Sequence, residues 1–181
     1  LERKRLLLDE LVEKIKEINP EIILTITHQI GSIKDADFII AATSAPEAII
    51  KPDDLRGGAI VLDDAQPSDV DPEVLVRDDV LVVNAGVVHT PSIRSHFNFG
   101  LADARDNFCC MAEVLILAAQ EWQDHFVIGR GADLKLVDYI AELAKDTNFR
   151  LAEAQNVHGF IPKEKIKRVI TIMREGKKLS S

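Results

Sequence analysis

Apolar positions recur along this chain with two periods. Leu7, Leu8, Leu11, Ile15 and Ile18 fall at helical spacing with Glu and Lys between them. This predicts an amphipathic helix over Arg3–Ile18, closed by Asn19-Pro20. Glu21–Thr27 alternates and is rich in β-branched residues, the pattern of a strand. Three short, continuous apolar runs follow, Asp37–Thr43, Ala59–Leu62 and Val80–Asn84, each bounded by turn residues. Strands covered on both faces read this way. Arg105–Trp122 contains no Gly or Pro and is apolar almost all round from Phe108 to Ala119. It predicts a central helix buried on most sides. Leu134, Val137, Ile140, Leu143 and Ala144 form the inward stripe of a further helix, Asp133–Lys145, and Pro162 opens a basic one to about Arg174. Phe126–Ala132 reads as a Gly-containing loop, and Asn148–Gly159 as a connection without a pattern of its own.

Short apolar strands alternating with helices define an α/β chain with a parallel sheet. Ligands in such sheets bind beyond the carboxyl ends of the strands. Those ends are Thr43-Ser44-Ala45, Asp63-Asp64-Ala65 and Asn84-Ala85-Gly86-Val87, small and polar enough for a ligand to approach the backbone.

Composition narrows the classes. With 181 residues and 46% hydrophobic content the chain can bury a proper core. A net charge of −8 argues against nucleic acid as the main partner. No apolar run reaches membrane-spanning length. The only cysteines, Cys109 and Cys110, are adjacent, so they build no disulfide framework, and a reducing, cytoplasmic setting is expected. No metal-ligand spacing stands out. Cys109 and Cys110 fall in the first turns of the central helix, where unpaired N–H groups can lower a thiol pKa and make a nucleophile. Two small apolar residues packed in a core would give the same sequence. The chain does not open with Met, and a piece of a longer protein is expected.

Ala36-Asp37-Phe38-Ile39-Ile40, Val61-Leu62-Asp63, Val83-Asn84-Ala85-Gly86-Val87-Val88 and Arg105–Trp122, in that order, resemble the C-terminal half of the long-chain acyl-[acyl carrier protein] reductases and related predicted amino-acid dehydrogenases. The most specific piece is Arg-x-x-Phe-x-Cys-x-Ala-Glu, matched by Arg105, Phe108, Cys110, Ala112 and Glu113, with Trp122 nine residues on. The resemblance implies an incomplete Rossmann-type parallel sheet of about four strands with a C-terminal helical region. Residues 1–100 would be a partial NAD(P)-binding domain and 101–181 helices packed on it. It further implies NADP as cofactor, with NAD as the variant, and a thioester of acyl carrier protein or CoA as substrate. Cys110 would take the acyl group, and hydride would reduce the thioester to an aldehyde. His89 and His96, on the loop before the helix, are the base or donor candidates nearest in sequence. Arg3 falls where an arginine meets the adenosine ribose, and Thr43, Ser44, Gly86 and Val87 fall near the nicotinamide half.

The departures are as informative. The G-x-G-x-x-G loop is absent, and its place lies upstream of Leu1. Asp63-Asp64-Ala65-Gln66-Pro67 brings acidic residues where a phosphate would be disfavoured. Without the first two Rossmann strands, Glu21–Thr27 is expected to be displaced, to pair with Asp37–Thr43, or to pair with a second copy, making a homo-oligomer. The other functions weighed are a shikimate-type dehydrogenase with direct hydride transfer, and a catalytically silent interaction module.

Overall fold

A computed structural model describes residues 2–127 and 133–179; for residues 2–5 and 177–179 the backbone alone is described. The chain divides into two compact units, Leu1–Ser32 and Ile33–Ser181. In the first, helix α1 (Glu2–Ile18) forms where the apolar spacing places it. The Asn19 side chain stops the chain behind it, accepting from the Glu21 N–H at 3.3 Å. The strand expected over Glu21–Thr27 does not form: the segment is irregular and Ile23 is 94% exposed. Alternation makes a strand only where a neighbour completes its backbone hydrogen bonds, and among the described residues none does.

The second unit is built on a three-stranded parallel sheet in the order β1 (Phe38–Ala41), β2 (Ile60–Asp63), β3 (Leu81–Asn84). Phe38, Ile60 and Leu81 lie in one row and Ala41, Asp63 and Asn84 in another, so all three strands end at the same level. The protein is thus α/β with a short parallel sheet of Rossmann-like kind. Ile39, Ala41, Val61, Val80 and Val82 face Ile50, Leu55, Val70 and Val74 of the crossover segments and form one core. The short helix α2 (Pro72–Leu75) belongs to this layer, its first turn capped by the Asp71 carboxylate. On the opposite face Ile60, Leu81 and Val83 pack against Ile161, Ile166, Val169 and Met173. Most of that cover comes from helix α5 (Lys163–Leu179), which runs further than the sequence pattern predicts. Phe38 and Ile40 share that face on the edge strand but stay 61% and 75% exposed.

Beyond β3 the chain turns at Gly86 (φ +64°) into β4 (Val87–His89), which pairs antiparallel with both β5 (Asp106–Phe108) and β6 (Arg150–Leu151). Two residues each of β7 (Gln155–Asn156) and β8 (Gly159–Phe160) form a small hairpin within the connection that showed no pattern. The central helix is shorter than expected. Asp106–Phe108 is drawn into the ladder with β4, so α3 spans Cys109–Ala119. Nor is α3 buried on most sides: Ala112 and Ile116 are buried with Leu143 and Phe149, whereas Met111 and Val114 are exposed. Helix α4 (Leu134–Asp146) lies against it through Ile140, Leu143 and Ala144, while Leu134 and Val137 of the expected inward stripe face solvent. The expected loop Phe126–Ala132 lies outside the described residues from 128 onward.

Candidate functional site

The level strand ends, the turn at Gly86 and the first turns of α3 enclose a hollow of about 430 Å³. Its lining includes Asp64 and Gln66 after β2, Asn84 and Gly86 after β3, and Cys109, Cys110 and Glu113 on α3. This is where open parallel sheets hold ligands. Glycine is required at 86: a Cβ there would lie 2.8 Å from Asp64 Oδ1 and 3.6 Å from Cys109 Sγ, on a backbone with positive φ.

The carboxylates around the strand ends divide by what they touch. Asp63 is buried and accepts from Ser68 Oγ at 2.5 Å and from the backbone of Ala65 and Asp69. Asp69, fully buried, accepts from the Thr43 N–H at 3.0 Å and the Thr43 hydroxyl at 2.6 Å. These two acids are consumed in tying the loop after β2 to the end of β1, which offsets the cost of burying them. Asp64 and Glu113 line the hollow and have no side-chain partner among the described residues. Among the described residues the lining contains no Lys, Arg or His.

Cys109 and Cys110 occupy the first turn of α3, whose N-terminal residue before the helix, Phe108, offers no side-chain cap. Both thiols keep contact with solvent. Partial burial, aided by the Asp64 carboxylate, holds the Cys109 thiol above its ordinary pKa, which disfavours the thiolate form. Cys110, the residue on which the acyl-accepting role would fall, lines the same hollow.

His89 is placed elsewhere, in a second hollow of about 350 Å³ with Arg105, Asp106, Arg150 and Glu153. Its Nδ1 lies 2.8 Å from Asp106 Oδ1. Of the other residues singled out by sequence, Gly86 is in the strand-end hollow and Val87 is buried beside it in β4. Thr43 and Ser44 are exposed at the end of β1, the Thr43 hydroxyl committed to Asp69. Arg3 lies in α1 with its side chain outside the described residues. The sequence pattern singles out neither Asp64 and Glu113 nor Asp106 and Gln155 as site residues. The doublet Asp63-Asp64 after an apolar run was the available signal for the first.

No family model matches the chain. It is 32% identical over 115 residues to the aminotransferase PigE of Serratia sp. (strain ATCC 39006), a match covering 61% of this chain and 13% of that protein. The chain therefore spans about an eighth of that relative. This finding overturns the expected chemistry. A relative that is an aminotransferase does not fit an NADP-dependent acyl reductase or a direct-hydride dehydrogenase, and the reductase reading is withdrawn. What stands of the resemblance is a distant likeness over part of the chain. No described helix is long and apolar enough to cross a membrane. Among the described residues no group of three or more His, Cys, Asp or Glu is arranged to hold a metal.

Proposed function

We propose that the strand-end hollow binds the amino group of a small organic molecule and that the chain serves amino-group chemistry. One observation carries this reading: Asp64 and Glu113 present carboxylates without a side-chain partner to a hollow that has no basic side chain among the described residues of its lining. An ammonium ion is the complement of such a wall, and each hydrogen bond it makes to a carboxylate is charge-assisted. Gln66 and Asn84 add neutral acceptors for the remaining N–H groups. Among the described residues the lining has no lysine to offer an amine for a Schiff base. It would hold a substrate amine rather than a carbonyl partner. The similarity to an aminotransferase supports the same substrate class. A dinucleotide, the ligand expected from sequence, would bring phosphates toward the same carboxylates and carries the wrong charge for this wall.

Titration of the protein with butylamine, butanol and NADP, followed by backbone NMR shifts, tests the proposal. Saturable shifts of Asp64, Gly86 and Glu113 with the amine alone are expected, weakened about tenfold or more in Asp64→Asn, the scale of one charge-assisted bond. Equal response to butanol, or amine binding indifferent to both Asp64→Asn and Glu113→Gln, would overturn it.

A further inference from the structure

A polar chain whose direction is fixed from one end to the other reaches the second hollow at Asp106 and His89. The Ala102 backbone N–H donates to Gln155 Oε1 at 2.7 Å. The amide nitrogen of Gln155 must therefore face the other way, and Nε2 donates to Asp106 Oδ2 at 2.6 Å. The second oxygen, Oδ1, takes the proton on His89 Nδ1 at 2.8 Å. Gln155 and Asp106 are 1% and 3% exposed, so water does not compete for either. The Ala102 N–H thus fixes the orientation of Gln155, and the Asp106 carboxylate, which can only accept, puts the hydrogen of His89 on Nδ1. The neutral ring keeps its proton on Nδ1 and leaves Nε2 as an acceptor beside the hollow.

The sheet supplies the neighbour. His89 sits opposite Asp106 on β5 and opposite Arg150 on β6, so acid, imidazole and guanidinium form one cross-strand row. Arg105, also in the lining, is engaged by Asp103 through two contacts near 3 Å. Arg150 is exposed and has no ion pair among the described residues, and the same holds for Glu153 across the lining.

We infer that this hollow is a second site, where Arg150 holds the carboxylate of a small acid and His89 Nε2 accepts a hydrogen bond from a hydroxyl or ammonium on the neighbouring carbon. This goes beyond the amine reading of the strand-end hollow and uses none of its residues.

The experiment has two parts on the whole chain. Long-range 15N–1H correlation of His89 reads the tautomer. Wild type is expected to show a protonated Nδ1 and a bare Nε2. In Asp106→Asn the amide oxygen must serve Gln155, which turns the NH2 toward Nδ1 and moves the ring proton to Nε2. Titration with L-lactate, L-alanine and propionate then reads the ligand. Saturable shifts at His89 and Arg150 are expected with lactate or alanine, whichever donor the site takes, and at least tenfold weaker binding for propionate. The surface variant Arg150→Gln, which leaves the buried chain untouched, is expected to weaken lactate or alanine binding at least tenfold. A wild-type His89 protonated on Nε2, or the expected tautomer with no saturable response to either acid, would overturn the inference. Failure of Asp106→Asn to fold would leave both the wild-type spectrum and Arg150→Gln to decide it.

Discussion

Two regions of the second unit carry similar apolar sequence and use it differently. Around the parallel sheet, Val61, Val74, Val80 and Val169 are fully buried, with cover on both faces of β2 and β3. On α3 and α4 the apolar stripe is as continuous, yet Val114 is 65% exposed and Leu134 73%. The difference lies in what the topology supplies. Each strand of the sheet brings a crossover segment that folds back on it. Helix α3 meets α4 and the small antiparallel sheet on one side, and among the described residues of the second unit nothing covers Met111 and Val114 on the other.

The sharpest way to break this comparison is to truncate one residue in each region. Ile50 is buried between the crossover segments at the heart of the first core. Ile50→Ala is expected to cost about 2–5 kcal/mol in urea unfolding, from lost transfer energy and an unfilled cavity. Val114→Ala on the exposed side of α3 is expected to stay within about 0.5 kcal/mol. Equal losses would mean that α3 is covered in solution.

The next effect sharpens the role of α5 as the sheet's second cover. Gly58 has φ +88°, and a Cβ there would sit 2.6 Å from the backbone nitrogen of Met173. The obstacle is helix backbone rather than a side chain that could swing away. Gly58→Ala is expected to cost at least about 1–3 kcal/mol, the range for a strained backbone position. Val169 and Met173 should lose amide protection before Ile39 and Val61 do. Uniform loss of protection would show that the two faces of the sheet unfold as one.

How far sequence could see follows the same division. The three parallel strands were legible because each is a short apolar run with turn residues at both ends, and the turn residue Gly86 lies in the strand-end hollow. The alternation at Glu21–Thr27 misleads, because it describes side chains while a ladder needs a partner, and no strand forms there. The burial of α3 was misjudged for a related reason. Hydrophobicity says what a helix could bury, and Met111 and Val114 show that it does not say what arrives to cover it. The chain from Ala102 through Gln155 and Asp106 to His89 spans 53 residues between its first two members, and no local pattern joins them.

A kinetic effect comes third. The Cys109 thiol is held above its ordinary pKa by burial and by Asp64. At pH 8 its alkylation by iodoacetamide is expected to run severalfold slower than that of glutathione, since the thiolate is the reacting form. Asp64→Asn should raise the rate by removing the like charge. A rate at Cys109 above that of glutathione would instead mark an activated thiol at the start of α3 and reopen the question of a nucleophile in this hollow.

The smallest effect tests whether charge matters at the rim of the well-covered region. Arg77 clasps Asp79 through two hydrogen bonds of 2.9 and 2.8 Å and also donates to the carbonyls of Pro52 and Leu55. The Arg77 guanidinium holds the Asp79 carboxyl below its ordinary value of 3.8. The folded state therefore binds that proton less tightly than the unfolded chain. The pair's contribution is present above the unfolded pKa and fades as pH falls through the depressed folded one. Asp79 is 43% exposed, so solvent screens the pair and its worth is at most about 1 kcal/mol. Asp79→Asn should lower stability by that order at neutral pH, and the gap to wild type should close on acidification below about pH 4. A gap that persists in acid would assign the effect to Arg77 and the carbonyls it holds, making the crossover contact, rather than the charge, the source of order at this edge.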